Sequence, residues 1–221
     1  MIAVIDYDMG NVGSILNMLR KIGATAKLTS DHTEIRDATA LILPGVGAFD
    51  QGMRNLAAKD LRGLLDECVL ARGTPLLGIC LGMQLLTKGS EEGTTPGFGW
   101  IDAETKRFCS TGAEAKLRIP HMGWNYVQIP VRTRPPGGTL ADRLFMDGEP
   151  NPKFYFVHSY HACCARTEDV LATANYGYEF SAAIGRENVA GTQFHPEKSL
   201  RFGLALMHSF VKSVTAVHSR T

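Results

Sequence analysis

The chain has 221 residues, with 23 Lys+Arg against 22 Asp+Glu and a formal net charge of +1. A chain of this length buries roughly 70% of its unfolded surface and needs no staples, and its balanced charge offers no global field to nucleic acid or anionic lipid, so neither is an expected partner. With 44% hydrophobic and 20% charged residues, wholesale disorder is excluded, and no apolar run approaches the ~20 residues of a membrane span. The start, Met1-Ile2-Ala3-Val4-Ile5-Asp6, has no basic leader region and reads directly as a buried strand, which predicts a cytoplasmic or already processed protein. The cysteines are Cys68, Cys80, Cys109, Cys163 and Cys164. The odd count without any CxxC pair predicts free thiols in a reducing compartment, and no zinc site or other metal centre. Strain disfavours a bridge between the adjacent Cys163 and Cys164, which read as packing residues.

In chain order, residues 2–6 form a strand candidate, followed by a turn at Met9-Gly10-Asn11 and a helix capped by Ser14 that carries Ile15, Leu16, Leu19 and Ile22 and ends at Gly23. Residues 24–28 read as a second strand, and Asp31 with Glu34 has the spacing of a capping box. A third strand at 40–43 ends in Pro44-Gly45. A helix over 61–71 presents Leu61, Leu64, Leu65, Cys68 and Leu70 on one face, and 76–79 is a fourth strand. Strands apolar on both faces and separated by helices predict an α/β fold, a mostly parallel central sheet with helices on both sides. The second half differs. Runs at 124–129, 153–158, 170–176 and 189–194 follow one another with turn residues, which predicts antiparallel strands added to the same sheet, then a closing helix over 199–217. The Pro- and Gly-rich 132–138 reads as a surface loop, and the chain as one domain.

The sharpest chemical signal is Gly78-Ile79-Cys80-Leu81-Gly82, the thiol counterpart of the nucleophile elbow G-x-S-x-G, with an apolar strand before it and a helix-compatible run after it. Such a turn is so tight that flanking Cβ atoms collide, hence glycine on both sides. It presents the sulfur at a helix start, where the helix dipole favours negative charge. A thiol nucleophile needs a base and an orienting group. Of seven histidines, His195 stands out because it opens His195-Pro196-Glu197. The proline keeps His195 out of helical conformation, and in an extended chain the imidazole and the Glu197 carboxylate face the same side. Pro44-Gly45-Val46-Gly47, directly after the third strand, can turn backbone N–H groups toward a developing oxyanion, together with the N–H of Leu81.

These motifs together resemble the class I (triad) glutamine amidotransferases. Four further blocks resemble, within them, the glutaminase subunits of imidazole glycerol phosphate synthase: Asp6-Tyr7-Asp8-Met9-Gly10-Asn11, Pro44-Gly45-Val46-Gly47-Ala48-Phe49, His121-Met122-Gly123-Trp124-Asn125 and Tyr155-Phe156-Val157-His158-Ser159-Tyr160. The resemblance spans nearly the whole chain, and Asp8 departs from it where many relatives have glycine. It implies that Cys80 attacks the glutamine side-chain amide while His195, oriented by Glu197, carries the protons. Gly45, Val46 and Gly47 match the family's oxyanion strand, which reorients on a signal from the partner, with Leu81 N–H as second donor. Gln84 and the backbone of Ser159 and Tyr160 then hold L-glutamine, with Tyr155 lining the pocket. The implied partner is a (β/α)8-barrel cyclase that receives the ammonia and forms a heterodimer with the chain, touching Asn11, Trp124 and Lys198; no cofactor is implied. Two other classes remain open on the residues alone. A thiol hydrolase on a related fold shares the elbow but not a terminal His-Pro-Glu, and a scaffolding subunit has no use for an intact Cys80, His195 and Glu197.

Overall fold

Successive residues of a strand face opposite sides, so a strand apolar throughout needs cover on both faces. That requirement organises the computed structural model, which describes residues 1–109, 117–130, 139–146 and 151–218; the loop expected at 132–138 lies outside them. In chain order the elements are β1 (Ile2–Ile5), α1 (Val12–Lys21), β2 (Ala26–Thr29), α2 (His32–Arg36), β3 (Ala40–Leu43), α3 (Phe49–Ala58), α4 (Leu61–Asp66), β4 (Leu76–Ile79), α5 (Leu81–Leu85), β5 (Ala103–Arg107), β6 (His121–Tyr126), α6 (Leu140–Arg143), β7 (Lys153–His158), β8 (Tyr160–Cys164), β9 (Val170–Tyr176), β10 (Tyr178–Arg186), β11 (Val189–Thr192) and α7 (Leu200–His218).

The main sheet runs β2-β1-β3-β4-β11-β10-β8-β5, with β9 also on β10. Its first five strands are parallel, and β10, β8, β5 and β9 extend it antiparallel. Alternate residues of one strand enter different cores. Ile2 and Val4 of β1 pack with Ile15 and Leu19 of α1 and with Leu206 and Phe210 of α7, whereas Ala3 and Ile5 pack with Met53 and Leu56 of α3 and Leu61 and Leu65 of α4. The expected three-layer α/β architecture is therefore present. Among the described residues, no helix is long and apolar enough to cross a membrane.

Several local expectations are corrected. The first helix starts before Ser14, at Val12, and Asn11 occupies the cap position without a side-chain cap bond. Its end does follow the glycine signal: Gly23 N–H donates to Arg20 O at 3.0 Å and Ala24 N–H to Leu19 O at 2.9 Å, the paired bonds of a Schellman cap. Asp31 caps α2 by accepting from Glu34 N–H at 2.9 Å, but Glu34 turns to Lys27 instead of back to the cap. The helix over 61–71 changes to a π-turn at Glu67–Ala71. Nine residues after Leu61, Leu70 falls on the opposite side of the helix and is 63% exposed, whereas Val69 is buried. α3, α6, β5, β8 and β10 have no counterpart in the sequence reading. Finally, β6 and β7 do not join the main sheet but form a separate antiparallel ribbon. Buried and half-exposed residues alternate along β7, which suits a ribbon covered on one face only. β11, expected among the antiparallel strands, is parallel to β4 and antiparallel to β10, and so forms the seam between the two halves of the sheet.

Candidate active site

Parallel neighbours in an α/β sheet deliver the residues beyond their carboxyl ends to one crevice. Here β4 and β11 are such neighbours, with Ile79 opposite Thr192. Cys80 follows β4 immediately, and its N–H donates to Thr192 O at 2.7 Å. His195 lies three residues past the end of β11. Both line a cavity of about 530 Å³ together with Val46, Gly47, Leu81, Gln84, Ser159 and Tyr160, so most of the expected site residues meet in one place.

The elbow has the strain its sequence implies. Cys80 sits at φ 55° and ψ −108°, between β4 and the first turn of α5. A Cβ on Gly78 would stand 2.7 Å from Gly82 O, and one on Gly82 would stand 1.8 Å from Leu43 O. No side chain fits at either place. The Cys80 side chain is nearly buried, and Gln193 Nε2 donates toward its sulfur at 3.8 Å. Gln193 Oε1 in turn accepts from Gln84 Nε2 at 3.1 Å, and the same Gln84 nitrogen donates to Tyr160 O at 3.1 Å. Gln84 is thus a brace between the sulfur's neighbour and the backbone at 160.

His195 is extended, at φ −99° and ψ 99°, as its following proline requires. Glu197, however, lies in a 3-10 turn, Pro196–Lys198, so the pair closes through that turn and not along an extended strand. His195 Nδ1 and Glu197 Oε1 are 2.7 Å apart, with side chains only 1% and 2% exposed. The backbone of His195 is fixed as well: its N–H donates to Tyr155 O at 2.9 Å, and its carbonyl accepts from Ser199 Oγ at 2.6 Å. Burial works against a charged ring, but Cys80 and Glu197 more than offset it and raise the imidazole to about 10. At neutral pH the ring therefore holds a proton. Its Nε2 is buried with no hydrogen bond of ordinary length among the described residues, and the neighbouring Cys80 sulfur is the group that favours its proton.

The strand after β3 meets the elbow through a carbonyl group. Leu81 N–H donates to Gly45 O at 3.3 Å, so a carbonyl occupies one of the two expected oxyanion donors. Tyr7, fully buried, donates its hydroxyl to Pro44 O in a very short contact. Burial, and then the charge of Cys80, push the Tyr7 phenol upward and keep it a donor. Gly45 must lack a side chain because a Cβ would meet Tyr7 Oη at 2.7 Å and Gly82 N at 2.8 Å. Gly47 has φ +112°, backbone that L side chains rarely adopt.

Tyr155 is not among the residues lining the cavity. Its ring stands edge-on to Trp124 at 6.1 Å, with Lys198 Nζ 5.7 Å from its centroid. The ribbon's outer side leaves Met122, Trp124 and Tyr126 at 66%, 42% and 60% exposed, and Val46 at the cavity mouth at 42%. Asn11 is exposed at the start of α1, which packs beside the Pro196–Lys198 turn. Two cavity-side residues carried no recognisable signal. Glu92 lies in a loop, accepts from Phe49 N–H at 2.8 Å and is the one carboxylate lining the cavity among the described residues. Gln193 is a lone glutamine whose position two before His195 puts it on the same side of an extended segment.

The family model for class-I glutamine amidotransferases matches residues 3–213. The imidazole glycerol phosphate synthase subunit HisH 2 of Methanococcus maripaludis is 50% identical over 96% of this chain and 99% of its own length. The chain belongs to the HisH family of class I glutamine amidotransferases. HisH 2 of Pseudomonas aeruginosa is 45% identical over 97% of this chain and 100% of its own length. Among solved structures, PurLQS from Thermotoga maritima superposes with a TM-score of 0.70 at 17% identity, covering 96% of this chain and 97% of that one. The glutaminase domain of Trypanosoma brucei CTPS gives 0.61 at 16% identity, covering 96% and 93%. At that identity the likeness concerns the fold alone. As a HisH-family member the chain is a glutamine amidotransferase.

Proposed function

We propose that this chain is the glutaminase half of an imidazole glycerol phosphate synthase: it hydrolyses L-glutamine through Cys80 and passes the ammonia to a (β/α)8-barrel cyclase, which uses it to convert PRFAR to imidazole glycerol phosphate and AICAR. The observation that carries the reading is the single cavity shared by Cys80, His195, Gln84 and the 159–160 backbone. The Cys80 sulfur attacks the side-chain amide carbon, and the carbonyl electrons move to oxygen. The proton resident on His195 passes to the departing nitrogen, which leaves as ammonia and a glutamyl thioester remains. Water then attacks the thioester, His195 takes its proton, and glutamate and the thiolate separate. Glu197 keeps the ring oriented through both steps. The substrate's amino-acid end rests on Gln84, on the Ser159 and Tyr160 backbone and on Glu92, whose carboxylate suits an ammonium group.

In the resting arrangement the Gly45 carbonyl opposes a developing oxyanion where a donor is needed. Turning the Gly45–Val46 peptide replaces that carbonyl with Val46 N–H and releases Leu81 N–H. Loss of one such donor typically costs 10²–10³ in rate, so activation by the partner has that scale. Ammonia in water is mostly protonated and lost as a nucleophile, which is why a docked cyclase is needed. The apolar ribbon face around Trp124 and Tyr155, with Asn11 and Lys198, supplies its seat. The chain works as one glutaminase domain in the cytoplasm.

The test is a glutaminase assay on the chain alone, then with the cyclase, then with cyclase and PRFAR. The expected result is weak hydrolysis alone and a rise on the order of 10²–10³ with both. Hydrolysis that the cyclase and its nucleotide do not stimulate overturns the partner assignment.

A further inference from the structure

Two of the motif blocks contain histidines that this scheme leaves unused. His121 of β6 and His158 of β7 face each other across the ribbon, and are 3% and 6% exposed. Aromatic rings enclose them: Phe156 stacks on His121 at 4.9 Å, Tyr176 at 4.1 Å, and Phe108 lies 5.2 Å from His158. A pocket built for packing alone has no need of two imidazoles, whose polar atoms cost free energy when buried unless each is satisfied.

Every nitrogen of the pair is satisfied, and in only one sense. His158 Nδ1 stands 2.7 Å from Tyr160 O, a pure acceptor, so Nδ1 carries the proton and donates. Its Nε2 is then an acceptor, 3.0 Å from His121 Nδ1, which must donate. His121 Nε2 accepts in turn from Asn125 Nδ2 at 3.3 Å. That amide also donates to Asn175 O at 2.8 Å. Burial pushes His121 down to about 4 and His158 to about 3, so both rings stay neutral and the order of donors does not change at physiological pH. Tyr160 O is also the acceptor of Gln84 Nε2.

We propose that His121 and His158 are positioning residues, forming with Asn125 a tautomer-locked relay that holds the Tyr160 carbonyl and thereby sets the 159–160 backbone in the geometry that receives glutamine. The proposal rests on the reading of that backbone as a glutamine-holding segment. The relay also ties the segment to β6, where Asn125 adjoins the exposed Trp124.

The two ends of the imidazole can be tested apart. In His158→Asn the amide nitrogen stands at the Nδ1 position and keeps the donor to Tyr160. His158→Gln places its amide at the Nε2 position and removes that donor. Assayed in complex with the cyclase, H158Q raises the KM for glutamine on the order of tenfold, with a smaller change in kcat, and H158N recovers most of that loss. Equal KM increases in the two variants, or a loss of folded protein with KM unchanged in both, overturn the proposal. A second measurement needs no variant. ¹⁵N-histidine spectra of the wild-type chain show both rings as Nδ1–H tautomers without titration between pH 5 and 8, and an Nε2–H tautomer at His158 overturns the relay. If the wild-type complex lacks glutaminase activity, the proposed function fails, while the tautomer spectrum still decides the relay.

Discussion

Gly82→Ala puts the geometry of the elbow under direct strain. The new Cβ would lie 1.8 Å from Leu43 O and 2.8 Å from Leu43 C, where ordinary contact begins at 3.4 Å. Relief requires the start of α5 and the end of β3 to part by well over an ångström. Neither yields cheaply, because β3 is hydrogen-bonded on both sides, to β1 and to β4. Overpacking typically costs 1–3 kcal/mol, and with backbone opposing the new atom about 3 kcal/mol is expected. For a chain of this length each kcal/mol lowers Tm by roughly 2–4 °C, so thermal unfolding should show a drop of about 6–12 °C. Glutaminase activity with the partner present should fall at least ~10²-fold, the usual result of moving a reacting atom by about 1 Å. Gly63→Ala is the control. It lies in α4 with nothing within 4 Å of its added Cβ, and the helix should gain about 0.5–1 kcal/mol. A Gly82→Ala protein that melts with the wild type and keeps its activity would refute the close approach of β3 and α5 that aims the sulfur.

Three further outcomes follow from the site. Glu197→Gln removes the carboxylate that orients His195, and kcat should drop by about 10⁴, read under saturating glutamine with the cyclase bound. Because His195 is raised to about 10, it is protonated below that pH, and the alkaline limb of kcat/KM should fall as pH rises through about 10 and not near 6.5; Glu197→Gln should move the limb to lower pH. Trp124→Ala, at a partly exposed position beside Tyr155, should weaken cyclase binding by about 2 kcal/mol in calorimetry and leave the unpartnered chain's slow hydrolysis unchanged.

Much of this site is legible in the sequence. The strands at 40–43, 76–79, 153–158 and 170–176 match β3, β4, β7 and β9, because local apolar runs and terminating glycines and prolines decide them. Cys80 and the His195–Glu197 pair were legible for a different reason: an elbow needs glycine at fixed places, and Pro196 leaves a visible constraint on His195. What escaped depends on tertiary context. α3 interrupts its apolar face with Asp50, Gln51 and Gly52, and Gly52 is buried because the Leu81 and Leu85 side chains of α5 pack against it, a Cβ there standing 3.3 Å from Leu85 Cδ1. β6 and β7 read as sheet strands, since alternation along a strand does not say which sheet covers its apolar side. Glu92 reaches the cavity from a loop that no periodicity marks. The Gly45 carbonyl on Leu81 N–H is a choice between two orientations of one peptide, which the residue types permit equally.

Labelling with the glutamine-like electrophile 6-diazo-5-oxo-norleucine, followed by mass spectrometry of all five cysteines, tests the core of the mechanism most directly. The prediction is a single adduct on Cys80, suppressed by glutamine and formed faster on the order of 10²-fold when cyclase and nucleotide are bound. An adduct on the exposed Cys109 instead, or a Cys80 that stays unmodified in the activated complex, would contradict it.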